Sequence, residues 1–158
     1  MPNGCVKCTC KTCGSTFTVD AVKHSRKEVE SWEAWASSYY DECPACYKAR
    51  TAARDDAKYD ELNAQYHFPA LVTGSEKQMD YAMRLRKRAV VSANPDDLKY
   101  VVDQLNETSA DDIKALADES HMDVDAFVRA THKKYGLLTE YVCLTETDAG
   151  KLIDALNP

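Results

Sequence analysis

No run of apolar residues in the sequence approaches the length a membrane-crossing helix needs. The opening Met1-Pro2-Asn3-Gly4-Cys5 lacks the charged and apolar segments of a secretory signal. A soluble cytoplasmic protein is therefore expected. The motifs that carry common chemistries are missing too. There is no glycine-rich phosphate loop, no Gly-x-Ser-x-Gly elbow and no His-Glu-x-x-His metal motif. The four histidines, His24, His67, His121 and His132, are scattered without a fixed carboxylate or cysteine partner. Paired acids do occur, but Asp55-Asp56 and Asp60-Glu61 lie on a polar helical stretch. Asp96-Asp97 and Asp111-Asp112 fall in expected first turns, where a carboxylate complements the helix dipole. Nothing assembles into an active site, and no catalysis is expected. A disulfide scaffold is disfavoured as well: the seven cysteines are odd in number and six crowd into the first 46 residues, a pattern suited to metal ligation in a reducing compartment.

What the sequence does have is two Cys-x-x-Cys turns, Cys10-Lys11-Thr12-Cys13-Gly14 and Cys43-Pro44-Ala45-Cys46-Tyr47. Two such turns supply the four thiolates of a closed tetrahedral zinc site, so Cys10, Cys13, Cys43 and Cys46 are expected to hold one structural Zn2+ with no position open for substrate. Gly14 permits the left-handed backbone of a knuckle and Pro44 pre-sets the second turn. An earlier pair, Cys5 and Cys8, has the same spacing. The later pair is preferred because Phe17 and Val19 continue from it as a strand, and Cys5 and Cys8 are then expected to lie in an exposed N-terminal extension. Between the knuckles, Val29, Trp32, Ala36, Tyr39 and Tyr40 recur at helical spacing. Trp32 is expected to pack against the knuckles and Trp35 to be exposed.

At 158 residues, 44% of them hydrophobic, the chain has room for one ordinary domain or two small ones. The fold expected is mainly α with a small β zinc ribbon. A β-ribbon and inserted helix surround the four-cysteine zinc site over residues 1–50, a connecting helix and linker span 51–74 with a break at Pro69, and a small helical bundle fills 75–158. The bundle opens with a capping box, Ser75 to Gln78. Three helices then follow from Pro95, Ser109 and Asp123, and a tail helix is boxed by Thr145 and Asp148. The segment 113–134 has the dimensions of a helix-turn-helix, but Asp123 and Asp125 stand where base-reading residues would be needed, so an αα-hairpin is the better description. Cys143, between Val142 and Leu144, is expected to be a small buried hydrophobe.

The net charge of −6 conceals an asymmetry, with residues 1–92 carrying 14 basic against 12 acidic side chains and residues 93–158 carrying 6 against 14. On the helix from Ser75, Lys77, Tyr81, Arg84 and Arg88 fall along one stripe, widened by Arg86 and Lys87. Cations beside an aromatic suit a phosphate backbone and a base face, which makes Lys77, Tyr81, Arg84, Lys87 and Arg88 the candidate nucleic-acid contacts.

Two stretches carry a resemblance. Ser75-Glu76-Lys77-Gln78 with Tyr81 and Leu85, together with Leu144-Thr145, Ala149, Leu152-Ile153 and Leu156, resembles a small helical module found at the C-terminus of phage and bacterial single-strand annealing and recombination proteins. The front, Cys10-Lys-Thr-Cys-Gly-x-x-Phe with Cys43-Pro-x-Cys-Tyr, is similar to zinc-ribbon segments of short phage and mobile-element proteins. The resemblance implies a phage-type accessory protein in a bacterial cytoplasm that binds nucleic acid or a nucleic-acid-processing protein of the host. Against that module, residues 94–120 form an extra acidic insertion. The acidic half supports an alternative, a protein-binding inhibitor of the anti-defence or anti-CRISPR kind that occupies the nucleic-acid groove of a host enzyme.

Overall fold

The computed structural model describes residues 1–157, and its helices and strands fall into two compact units, Met1–Arg54 and Asp55–Pro158. Among the described residues no helix is long and apolar enough to cross a membrane.

In the first unit, strand β1 (Asn3–Thr9) pairs antiparallel with β2 (Thr16–Val22) in the register Cys8↔Phe17, Val6↔Val19, Gly4↔Ala21. That alternation gathers Phe17, Val19, Val6 and Cys8 on one face, the pairing that stabilises a two-stranded ribbon too small to stand alone. Helix α1 (Arg26–Tyr39) covers β1. Ser25 caps it by accepting from the Glu28 amide, and Val29 and Ala36 are buried along its inner stripe. Trp32 lies over Gly4, with its ring about 3.0 Å from where a Cβ would stand. Trp35 is on the outer side, stacked on Tyr39 at 4.4 Å between ring centroids. The Cys5-Val6-Lys7-Cys8 stretch is thus not the exposed extension its sequence suggests. It is the core strand of the ribbon, with Cys8 buried and Cys5 facing outward.

Helix α2 (Pro44–Tyr66) is continuous, so no separate connecting helix begins at residue 51 and the units divide inside α2 rather than at Pro69. Its first turn belongs to the cysteine centre. Its far end puts Tyr59, Leu62 and Tyr66 into the second unit's core with Val90, Leu98 and Cys143.

The second unit is all helical: α3 (Glu76–Ser92), α4 (Pro95–Glu107), α5 (Ala110–Glu119), α6 (Val124–Lys134), α7 (Leu138–Thr145) and α8 (Ala149–Leu156). The Ser75–Gln78 capping box forms at the head of α3, and Asn94, Ser109 and Asp123 cap α4, α5 and α6 through their side chains. The short helix α7 is the centre of the packing, touching α3, α4, α6 and α8. Val142 and Cys143 are fully buried there, and burial pushes the Cys143 thiol up to about 12. Helix α8 is capped by Asp148 alone. Thr145 belongs to α7 and its hydroxyl donates back to the Tyr141 carbonyl, so the expected Thr145–Asp148 box is replaced by a corner between two helices. Residues 94–120 are not an appendage, since Leu98 and Val101 of α4 are completely buried.

One side chain ties this unit together. Arg86 is 1% exposed and donates to the carbonyl of Pro69 through Nη1 and to that of Glu146 through Nη2, both at 2.5 Å. The Glu146 carboxylate accepts from the Thr147 and Asp148 amides and pairs with Arg129 of α6. Nearby, the chain 71–74 runs beside residues 147–149, with Ala149 N donating to Thr73 O at 2.9 Å. Gly74 sits at φ +131° in this crossing, and a Cβ there would meet that of Ala149 at 2.9 Å, so both backbone angle and space demand glycine.

Candidate metal centre

The connection between β1 and β2 is the first knuckle. Cys10 N donates to Ser15 O and Gly14 N to Cys10 O, closing a turn that needs the left-handed φ of +73° found at Gly14. The second knuckle is a helix start. Pro44 is the first residue of α2, where its missing N–H costs nothing, and Cys43 just before it accepts from the Cys46 amide through Sγ at 3.4 Å. The sulfur does there what a serine or aspartate oxygen does at an ordinary helix cap. The two knuckles are held in register by the chain between them: Lys11 N donates to Asp41 O at 2.8 Å, Lys11 Nζ pairs with Asp41, and Thr12 donates to Glu42, which also pairs with Arg50.

These turns bring the Sγ atoms of Cys10, Cys13, Cys43 and Cys46 within 4.8 Å of one another. Cys13 and Cys43 sulfurs are 3.8 Å apart, far beyond a disulfide bond of about 2.05 Å. That separation matches the edge of about 3.8 Å of a sulfur tetrahedron built on metal–sulfur bonds of about 2.3 Å. Cys10 and Cys43 are buried, Cys46 is half-buried and Cys13 is exposed. Backbone amides set the charge of the site. The Cys43 N–H, with those of Cys13 and Thr12, lowers the Cys10 thiol to about 6 against the opposing effect of burial, and the Cys46 N–H lowers Cys43. The Cys46 thiol is pushed up, chiefly by the Cys13 and Cys43 sulfurs beside it. Four adjacent sulfurs cannot all carry charge unaided, and a metal cation among them would offset that repulsion. The four cysteines are positioned to hold a metal ion. Cys5 and Cys8 are not part of the cluster: Cys5 faces Asp20 across the ribbon, and Cys8 lies opposite Phe17.

The candidate nucleic-acid residues separate into two groups. Lys77, Tyr81, Arg84 and Arg88 are all exposed on α3, and the Arg84 guanidinium lies 5.8 Å from the centre of the Tyr81 ring. Lys87 is half-buried and ion-paired with Asp56. Arg86 does not widen the stripe, because it points into the core. Arg129, the most prominent cation of the helix-turn-helix-like pair, is held by Asp125 and Glu146. Comparison with protein-family models, with curated proteins and with solved structures finds no match to this chain.

Proposed function

We propose that the chain is a non-catalytic accessory protein that binds a nucleic-acid backbone through the outer face of α3, on a scaffold whose first unit is a zinc ribbon with a helix inserted between its knuckles. The observation that carries the reading is the exposed row Lys77, Tyr81, Arg84 and Arg88. Its three cations have no carboxylate partner among the described residues, whereas the neighbouring cations Arg86 and Lys87 are engaged. Unpaired cations two turns and one turn apart along a single row displace counterions from phosphates, and the Tyr81 ring adds a face on which a base can stack. Zinc suits the four-thiolate set best, as a closed structural ion. No two of the seven cysteines are joined in a disulfide, an arrangement suited to a reducing cytoplasm. Fluorescence anisotropy with labelled single- and double-stranded DNA across a salt series tests the reading. Micromolar binding should weaken with a log–log salt slope of about −2.7 on duplex and about −2 on single strands for three phosphate contacts. Lys77→Ala/Arg84→Ala/Arg88→Ala should abolish it, and absence of binding at low salt refutes it.

A second reading, an inhibitor that occupies a basic groove of a host nucleic-acid enzyme, is favoured by the concentration of acid in residues 93–158. Retention of such an enzyme from nuclease-treated lysate, with no DNA binding by the pure protein, would select it over the first.

A further inference from the structure

A cleft opens between α4 and the α5–α6 hairpin, lined by Tyr100 and Leu105 of α4, Ile113 and Leu116 of α5, and Phe127 and Tyr135 on the α6 side. Its volume is about 260 Å3. Tyr100, Leu105, Leu116 and Tyr135 are between 42% and 68% exposed, although Leu105 continues the stripe of the completely buried Leu98 and Val101, and Leu116 sits beside the completely buried Ala117. The apolar face of α4 is therefore longer, and that of α5 wider, than the core they feed. Small-molecule pockets run from about 300 Å3 upward, so this open cleft is undersized for a whole ligand and suited to a few inserted side chains, as in helix-in-groove recognition.

Charge identifies the occupant. From residue 95 to 125 the chain carries ten carboxylates and two lysines. Those at the starts of helices, Asp96, Asp97, Asp111 and Asp112, favour their own helices. Glu107 at the end of α4 and Asp118 and Glu119 at the end of α5 do the opposite: they add negative charge to helix C-termini whose last turns contain no basic residue. Glu107 is one helical turn beyond Gln104 and Glu119 one turn beyond Leu116, and Gln104 and Leu116 both line the cleft, so these uncompensated ends flank it. The sign reverses only at the end of α6, with Lys133 and Lys134 beside Tyr135.

We propose that this cleft is the docking groove for an amphipathic helix of a partner protein, with large apolar residues at successive turns and lysine or arginine along the flanks that lie over α4 and α5. Selection on the full zinc-loaded chain tests this. The probe is a display library of helices about 16 residues long, with leucine, phenylalanine or methionine at i, i+4 and i+7 and flanks randomised among lysine, arginine, glutamate and glutamine. Lysine and arginine should be enriched at least about tenfold over glutamate. Leu116→Asp, at an exposed position where the helical circular dichroism should be unchanged, should abolish enrichment, and Glu107→Lys/Glu119→Lys should invert the flank preference. No enrichment, or a preference untouched by charge reversal, overturns the proposal. So does a concentration-dependent dimer abolished by Leu116→Asp, which would make the occupant a second copy of the chain.

Discussion

Replacing Arg86 with methionine keeps most of the volume and apolar stem of the side chain but removes the fork that joins three separate parts of the second unit. Two carbonyls lose their donors at a site where Arg86 itself is 1% exposed: that of Glu146 in a buried bond and that of Pro69 in a part-buried one. A buried acceptor left without a donor costs about 1–3 kcal/mol, so the gross loss is roughly 2–6 kcal/mol. Part of it is returned. The guanidinium is desolvated in the native state and its Nε has no hydrogen-bond partner, so its removal relieves an existing penalty. The expected net destabilisation is about 3 kcal/mol, a large share of the roughly 5–15 kcal/mol typical of a domain. Urea unfolding followed by circular dichroism, in excess zinc, should move its midpoint down by about 2 M with the slope unchanged. Arg86→Lys, which keeps the charge but reaches only one carbonyl at a time, should fall between the two. A methionine variant within about 0.5 kcal/mol of the parent, or more stable than it, would refute the reasoning and make the buried arginine a cost that packing alone can replace.

Three further outcomes are expected. Gly74→Ala should destabilise the second unit by about 2–3 kcal/mol in the same urea experiment, because an added Cβ meets that of Ala149 at 2.9 Å at a φ most side chains avoid. Cys143 sets an alkaline limit. Its native thiol is raised from 9.0 to about 12, so its contribution is complete below pH 9 and is lost as pH rises from 9 towards 12, while the unfolded chain ionises and the native chain does not. Between about pH 8 and 10 the parent should lose about 1.4 kcal/mol more than Cys143→Ala, and equal losses would contradict the assignment. Finally, Cys5→Ser should leave metal content and the tryptophan fluorescence of the folded state unchanged, since Cys5 lies outside the sulfur cluster.

The parts of the molecule legible in the sequence are those fixed by neighbours a few residues away. The cysteine spacing and Gly14 define a knuckle without outside help, and Ser75 and Gln78 complete a capping box within one turn. The helical phase that unites Val29, Trp32 and Ala36 also places Trp35 on the opposite side, as its 47% exposure shows. Strand β1 is not legible, because Asn3-Gly4-Cys5-Val6-Lys7-Cys8-Thr9 has few strand-forming residues and owes its conformation to pairing with β2. Helix α7 is hidden for a similar reason: Leu137 at its start provides no side-chain cap, and its apolar residues point at four different neighbours rather than along one stripe. Arg86 is indistinct because in Arg84-Leu85-Arg86-Lys87-Arg88 every cation looks alike. What sets it apart are acceptors 17 and 60 residues away. The cleft on α4–α6 cannot be foreseen either, since periodicity marks Leu105 and Leu116 as apolar but does not reveal that the core leaves both of them uncovered.

The most direct test is the metal content of the purified chain beside Cys10→Ser and Cys43→Ser, measured by plasma mass spectrometry before and after exposure to a strong chelator. A single zinc ion per chain is expected in the parent, with its loss in either variant and a shift of the tryptophan emission towards that of the unfolded chain on chelation. Metal-free protein that keeps its fold through the chelator, or zinc retained undiminished in both variants, would contradict a sulfur-held ion as the foundation of the first unit.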